Sequence, residues 1–121
     1  MRDGVAVAIL RAVGERPFTG RVAVVVGGTR GIGLAVAEKL ASLGADAILT
    51  YSRNDEGARS ARDAVAAHGV RCETIKADIG DRDAIVALFR ETGERFGHVD
   101  VLVNSAARGL ERPRAAVDSL P

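Results

Sequence analysis

The chain has 121 residues, a length that suits one domain and leaves no room for two. Hydrophobic residues make up 47% of it and charged residues 27%, a balance typical of globular proteins rather than disordered or fibrous ones. The net charge of +1 argues against nucleic acid or an anionic membrane as a partner, because both bind basic surfaces. Aromatic residues reach only 3%, so the core must be built from Val, Ile, Leu and Ala, as in a parallel sheet covered by helices on both faces.

The N-terminal segment and the single cysteine bear on the cellular compartment in which the protein is expected. Residues 1–17 contain an apolar run that is too short to span a bilayer and lacks a small-residue cleavage site, so we expect a helical or disordered extension. Cys72 is the only cysteine, which excludes an intrachain disulfide and favours the reducing cytoplasm. Because it lies in an apolar stretch, we predict a small core or strand residue rather than a reactive thiol.

The first predicted strand, residues 22–26, is apolar and β-branched and is followed by Gly27 and Gly28. Such a run is typical of a central parallel strand. From Gly31 the apolar residues recur at helical spacing, which predicts a helix that ends at Gly44. Its predicted apolar stripe consists of Ile32, Val36, Leu40 and Leu43.

The same alternation continues along the chain. A second strand over 47–51 is followed by a helix capped by Asn54 or Asp55 and running to about residue 68. A third strand over 71–77 precedes a helix capped by Asp81, and a fourth strand over 99–103 reaches Asn104. The third helix is predicted to bury Ile85, Leu88, Phe89 and Phe96. This order predicts an α/β fold, a Rossmann-type doubly wound parallel sheet over residues 18–121, present only as far as about the fourth strand.

A glycine-rich turn joins the first strand to the first helix. Gly27 permits a tight turn, Gly31 lets the backbone approach a pyrophosphate, and Gly33 lets the helix pack against the strand. The helix then directs its free N–H groups and positive dipole end at the phosphates. Because the turn follows a strand and precedes an amphipathic helix, nucleotide binding is favoured over a merely flexible turn.

The stretch from residue 18 to about 113 resembles the short-chain dehydrogenase/reductase family. The resemblance rests on the Gly-x-x-x-Gly-x-Gly turn and on four further segments. These are Leu43-Gly44-Ala45, Ala77-Asp78-Ile79, Phe96-Gly97-His98-Val99-Asp100 and Asn104-Ser105-Ala106-Ala107. The segment from Asn104 to Pro113 is also similar to that of an enoyl-acyl-carrier-protein reductase branch.

The resemblance implies roles for residues at the strand ends. Asp78 would accept a hydrogen bond from the adenine amino group, with capping of a turn as the alternative, and Ile79 would pack on the ring. Asn104 would close the site near the adenosine ribose. The candidate cofactor-binding residues are Gly27, Thr29, Arg30, Gly31, Ile32, Gly33, Tyr51, Ser52, Arg53, Asp78, Ile79, Asn104, Ser105 and Ala106.

The charge around the second strand favours NADP(H) over NAD(H). NAD-preferring relatives hold the ribose 2′-hydroxyl with an acid at the end of this strand, where the present chain has Tyr51. Arg30 and Arg53 are expected to clamp a 2′-phosphate.

The sequence departs from the family pattern at three positions. Val26 replaces a threonine, and Ser105 and Ala107 replace an asparagine and a glycine, which suggests a less rigid turn. The family's catalytic serine and tyrosine–lysine pair have no counterpart, since Tyr51 is the only tyrosine and has no lysine four residues on. No metal ligand set is predicted either, because His68 and His98 are better interpreted as surface residues.

Three interpretations of the function follow. The chain is expected to be the NADP(H)-binding portion of an oxidoreductase, inactive alone, or else a stand-alone NADP-binding or interaction module. The third interpretation is a degenerate fragment that folds only through oligomerisation and binds no ligand well. The fourth strand would form an apolar edge with part of one sheet face uncovered, which predicts a homo-oligomer or a completing protein partner.

Overall fold

The computed structural model describes residues 16–78 and 80–105, in which four strands alternate with three helices. Each boundary lies within two residues of its predicted position, and β1 coincides with its prediction. The strands are β1 (Val22–Val26), β2 (Asp46–Tyr51), β3 (Cys72–Lys76) and β4 (Val101–Asn104). The helices are α1 (Gly31–Ser42), α2 (Asp55–Ala66) and α3 (Arg82–Phe96).

All strand pairs are parallel, and the order across the sheet is β3-β2-β1-β4. Val24 at the centre of β1 is in register with Ile48 of β2 and with Leu102 of β4. Among the described residues β4 pairs with β1 alone and lies at an edge of the sheet. The predicted Rossmann-type doubly wound α/β fold is confirmed.

The sheet separates two hydrophobic clusters, which explains the aliphatic composition. The larger cluster lies between the sheet and helices α1 and α2, and the smaller one lies between the sheet and α3. The first comprises Val25, Ala37, Ala41, Ala47, Leu49, Ala61, Val65 and Cys72, and the second comprises Val24, Val26, Ile48 and Leu88. Burying one Val, Leu or Ile side chain stabilises the fold by about 1.5–3 kcal/mol, so these small clusters supply much of its stability.

The buried face of α1 differs from the predicted stripe. Gly33, Ala37 and Ala41 face the sheet, whereas Ile32 is 78% exposed. Val36, Leu40 and Leu43 are only partly buried. Small residues form the face of α1 that contacts the sheet, because they let the helix axis approach the sheet closely. Larger side chains would prevent this approach.

Helix α3 shows a similar difference. Its buried positions are Leu88 and Thr92, and the Thr92 hydroxyl donates a hydrogen bond to the carbonyl of Leu88 at 2.8 Å. Ile85 and Phe96 are half-buried, but Phe89 is 37% exposed. The buried face of α3 is therefore rotated by part of a turn from the predicted face. Thr92 can take the place of an apolar residue there because its hydroxyl forms a hydrogen bond within the helix.

Two further residues contribute to the core and its edge. Cys72 is buried, as predicted, and burial raises the pKa of its thiol to about 12, which makes it a poor nucleophile. Arg16 lies within the predicted extension, and its Nη2 donates to the carbonyls of Ala41 at 2.9 Å and His68 at 2.7 Å. One guanidinium thus satisfies carbonyls at the C-terminal ends of both α1 and α2.

Candidate nucleotide-binding site

The glycine turn lies at the carboxyl edge of the sheet, between β1 and α1. Gly27 has a φ of 74°, a conformation that side-chain-bearing residues rarely adopt, so the chain can reverse there. A Cβ on Gly33 would collide with the carbonyl oxygen of Gly27 and with the hydroxyl of Ser105. The first turn of α1 therefore packs directly on the end of β1, as the glycine spacing predicted.

Two hydroxyl side chains brace this turn from opposite sides. The Thr50 hydroxyl, buried at the end of β2, accepts a hydrogen bond from the Gly27 N–H at 3.1 Å. The Ser105 hydroxyl, just after β4, lies 3.1 Å from the carbonyl oxygen of Val26 and 3.2 Å from that of Gly27. Ser105 thus makes direct contacts with the turn, whose rigidity the loss of threonine at Val26 had put in doubt.

Thr50 was missed by sequence reasoning, although a hydroxyl in an otherwise apolar strand was a usable signal. Buried polar side chains need a partner, and the nearest unsatisfied groups at a strand end belong to the adjoining turn. The carbonyl of the same residue accepts from the Gly28 N–H at 3.2 Å, so β2 holds the glycine turn through both its backbone and its side chain.

Helix α1 is the one described helix that begins without a side-chain cap. Arg30 occupies its N-cap position in an extended conformation and makes no capping hydrogen bond, and its first turn contains no acid. In contrast, Asn54 accepts from the Gly57 N–H at the start of α2, and Asp81 accepts from the Asp83 N–H at the start of α3. The first turn of α1 therefore lacks the side-chain acceptor that the first turns of α2 and α3 have.

The space in front of these N–H groups suits an anionic ligand. A Cβ placed on Gly31 would meet no atom of residues 16–78 and 80–105 within 4 Å, so this part of the turn faces open space among the described residues. A helix N-terminus binds phosphate groups through its N–H donors and the positive end of its dipole. The turn, the open space and the uncapped helix together fit the pyrophosphate of a dinucleotide.

Arg30 and Arg53 lie at the same edge of the sheet and are both exposed. Within residues 16–78 and 80–105, neither guanidinium forms an ion pair or a side-chain hydrogen bond. Tyr51, at the end of β2, is half-buried, and its hydroxyl donates to Asp55 Oδ1 at 3.0 Å. Ser52 is exposed beside it.

The remaining candidate residues lie along the same edge. Asp78 follows β3, and its Oδ1 accepts from the Gly80 N–H at 2.9 Å, so the turn-capping alternative is realised. A carboxylate accepts several hydrogen bonds, which keeps this contact compatible with adenine recognition. Asn104 ends β4 in register with Val26, while Thr29 and the exposed Ile32 flank the glycines. Ile79 and Ala106 lie outside the described residues.

Other kinds of site have little support in the described part of the chain. No group of three or more His, Cys, Asp or Glu side chains there is placed to hold a metal ion. His68 lies 3.7 Å from Glu38, and His98 lies 2.9 Å from Asp100, both at the surface. None of the helices described has the length and apolarity needed to cross a bilayer.

The doubly wound sheet and its glycine turn define the class of Rossmann-type nucleotide-binding folds. Comparison with known families makes this class specific, because the short chain dehydrogenase model matches residues 21–119. The chain therefore belongs to the short-chain dehydrogenase family.

Individual relatives agree with this assignment. A hydroxynaphthalene reductase-like protein of Metarhizium acridum is 36% identical over 102 residues, which cover 84% of this chain and 38% of that protein. A short chain dehydrogenase of Burkholderia cenocepacia, solved in complex with NADP, is 40% identical with a TM-score of 0.71, and the match covers 74% of this chain and 36% of that one. An NAD⁺-bound xylitol dehydrogenase is 30% identical with a TM-score of 0.67, over 70% and 32% of the two chains. This chain thus spans well under half the length of these proteins.

Proposed function

We propose that this chain is the NADP(H)-binding portion of a short-chain dehydrogenase-type oxidoreductase. The observation that carries the proposal is the uncapped N-terminus of α1 beneath the glycine turn, facing open space at Gly31. Helices α2 and α3 begin at the same edge of the sheet, and both use a side chain for capping. Selective omission of the cap at the glycine turn supports phosphate binding there.

The preference for a 2′-phosphate rests on charge. No acidic side chain ends β2, and the two exposed arginines, Arg30 and Arg53, have no partner within the described residues. An arginine binds a phosphate through parallel, charge-assisted hydrogen bonds. The NADP complex of the Burkholderia cenocepacia relative supports this choice, and the NAD⁺-bound xylitol dehydrogenase makes NAD(H) the competing ligand to test.

In the complete enzyme, the nucleotide would exchange hydride with a carbonyl or enoyl substrate. The residues of this chain would position the dinucleotide. The chain contains one tyrosine, Tyr51, whose hydroxyl is bonded to Asp55, so a tyrosine–lysine acid pair must come from elsewhere. We therefore expect binding without turnover, which is also the property of the alternative, a stand-alone NADP-binding module.

The proposal includes self-association or a completing protein partner in the cytoplasm. Leu102 of β4 is 55% exposed, and it points to the same face of the sheet as its register partner Val24, the face covered by α3. Val86 and Phe89 of α3 are 49% and 37% exposed. A parallel edge strand with exposed apolar neighbours tends to pair with a strand of another protein chain. Light scattering at increasing concentration should show association, and a monodisperse monomer with low binding of a hydrophobic dye would contradict it.

The cofactor proposal is tested by calorimetric titration of NADPH and, separately, NADH into the wild-type chain. The double variant Arg30→Ala/Arg53→Ala should weaken NADPH binding by at least about 100-fold, because two charge-assisted contacts of about 1.5–3 kcal/mol each are lost. The matched control Arg62→Ala/Arg90→Ala removes the same charge from the exposed surfaces of α2 and α3 and should leave both affinities unchanged. Failure of the wild type to bind either nucleotide would overturn the proposal.

A further inference from the structure

Three side chains from different elements converge at the carboxyl edge of the sheet. Tyr51 ends β2 and Lys76 ends β3, and the two are register partners. Asp55 is the first residue of α2. The Tyr51 hydroxyl donates to Asp55 Oδ1 at 3.0 Å, and Lys76 Nζ lies 3.4 Å from the same oxygen. Two donors thus share one carboxylate oxygen.

This group of Tyr51, Asp55 and Lys76 borders the glycine turn. Thr50, which accepts hydrogen bonds from both Gly27 and Gly28, immediately precedes Tyr51. The Tyr51 carbonyl accepts from the Ala77 N–H at 2.9 Å, which ties the ends of β2 and β3 together. The three side chains therefore occupy the part of the edge between the turn and β3, beside the exposed Arg53.

The acid of this group, Asp55, lies four residues after Tyr51, the strand-end position at which NAD-binding relatives carry an acid. A carboxylate next to the ribose favours a 2′-hydroxyl and repels a 2′-phosphate, as at the strand end of NAD-binding relatives. The hydrogen bond from Tyr51, followed by the charge of Lys76, lowers the pKa of Asp55, so this carboxyl group is an anion at neutral pH. Its negative charge must be offset locally if the edge is to accept a phosphate.

We propose that Lys76 is a specificity-determining residue that neutralises Asp55 and so permits a dinucleotide with a 2′-phosphate to bind. The inference rests on the proposed nucleotide-binding function and assigns a new role within it. Because Lys76 is engaged by Asp55, it acts on specificity through that acid, while Arg30 and Arg53 remain the direct phosphate ligands. Tyr51 orients the carboxylate with its hydroxyl and adds no charge.

The test is a double-mutant cycle on the full chain, read out as the dissociation constants of NADPH and NADH. Lys76→Gln should weaken NADPH binding about tenfold and leave NADH binding within about twofold, because an uncompensated carboxylate near a dianion costs about that much at a protein surface. Asp55→Asn/Lys76→Gln should restore wild-type NADPH affinity, since the repelling charge is gone. Lys76→Arg keeps the charge and should keep the preference.

Glu56→Gln is the matched control, because Glu56 is also an exposed acid in the first turn of α2. Its combination with Lys76→Gln should not restore NADPH binding. Persistent weak binding in Asp55→Asn/Lys76→Gln would show that Lys76 contacts the phosphate itself and would overturn the inference. An unchanged preference in Lys76→Gln, with the wild type favouring NADPH, would overturn the inference alone. A wild type that binds neither nucleotide would overturn the proposed function and the inference with it.

Discussion

The amino and carboxyl edges of the sheet use charged side chains in different ways. At the amino edge, arginines are paired with acids and with helix carbonyls. Arg95 pairs with Glu73 and Glu91, and Arg71 pairs with Glu73 and donates to the carbonyl of Arg95 at 2.8 Å. At the carboxyl edge, Arg30 and Arg53 have no such partner among the described residues.

This difference indicates that the amino edge of the sheet contributes to stability and the carboxyl edge to ligand binding. Paired charges and satisfied helix carbonyls hold the amino ends of the strands and the C-termini of the helices in place. In the described part of the chain, unpaired arginines and uncapped N–H groups remain at the opposite edge, where the glycine turn lies. Variants at the two edges should therefore change different measured quantities.

The largest effect is expected from Gly33→Ala at the carboxyl edge. The added methyl group would overlap the carbonyl oxygen of Gly27 and the hydroxyl of Ser105, so α1 must move away from the turn. We expect a loss of about 3 kcal/mol in the free energy of unfolding, measured by urea denaturation, together with loss of NADPH binding.

Gly93→Ala is the matched control, since Gly93 is also helical but, in the part of the chain that the structure describes, no neighbouring atom lies within 4 Å of the position that an added Cβ would occupy. This variant should be as stable as the wild type or more stable by up to about 1 kcal/mol, because alanine favours the helix. Equal effects of the two substitutions would show that the close packing at Gly33 is not what builds the site.

An intermediate effect is expected from Arg16→Met at the amino edge. The variant removes two hydrogen bonds to carbonyls at the ends of α1 and α2 while retaining an apolar stem. The free energy of unfolding should fall by about 2 kcal/mol, because both bonds come from one partly buried guanidinium nitrogen and together contribute less than twice the usual value of about 1.5–3 kcal/mol for one bond from a charged donor. NADPH affinity, measured well below the new melting temperature, should stay the same.

Arg62→Met provides the comparison for this variant. Among the described residues Arg62 forms only an exposed pair with its neighbour Asp63 at 3.4 Å, so its loss should change stability by less than about 0.5 kcal/mol. If Arg16→Met weakened NADPH binding while leaving stability intact, the separation of the two edges would be wrong.

The sequence was sufficient to predict the strands, the helix caps and the glycine turn, because each depends on nearby residues. The cap Asp81 was predicted, as was Asn54 with Asp55 as its alternative, because caps follow local rules. The buried face of α1 was not, since apolar periodicity marks a helix without showing how closely it approaches the sheet. For that reason Ile32, which was predicted to lie in the apolar stripe, is exposed, whereas Ala37 is buried.

The braces of the turn were also beyond sequence reasoning. Thr50 lies 23 residues from Gly27, and Ser105 lies 78 residues from it, so only the folded sheet brings their hydroxyls to the turn. The contact between Lys76 and Asp55 likewise depends on the register of β2 and β3. Pairings of this kind require the tertiary structure, whereas the elements that they join do not.

Asp100 joins the starts of β1 and β4 at the amino edge. Its Oδ2 accepts from the Val22 N–H at 2.8 Å, and its Oδ1 lies 3.3 Å from Arg21. The hydrogen bond from Val22, with smaller contributions from Arg21 and His98, lowers the pKa of this carboxyl group below the ordinary value of 3.8. A lowered pKa in the folded state means that the carboxylate stabilises the fold above the unfolded-state pKa. This contribution disappears as pH falls through the folded value.

The smallest effect is therefore expected from Asp100→Asn, and it should depend on pH. The melting temperature of this variant should lie below that of the wild type at about pH 7, and the gap should narrow below about pH 3. Asp63→Asn, which removes an exposed acid from α2, should show little gap at either pH. A gap for Asp100→Asn that persists unchanged in acid would mean that the shape of the side chain, rather than its charge, joins the two strands at the amino edge.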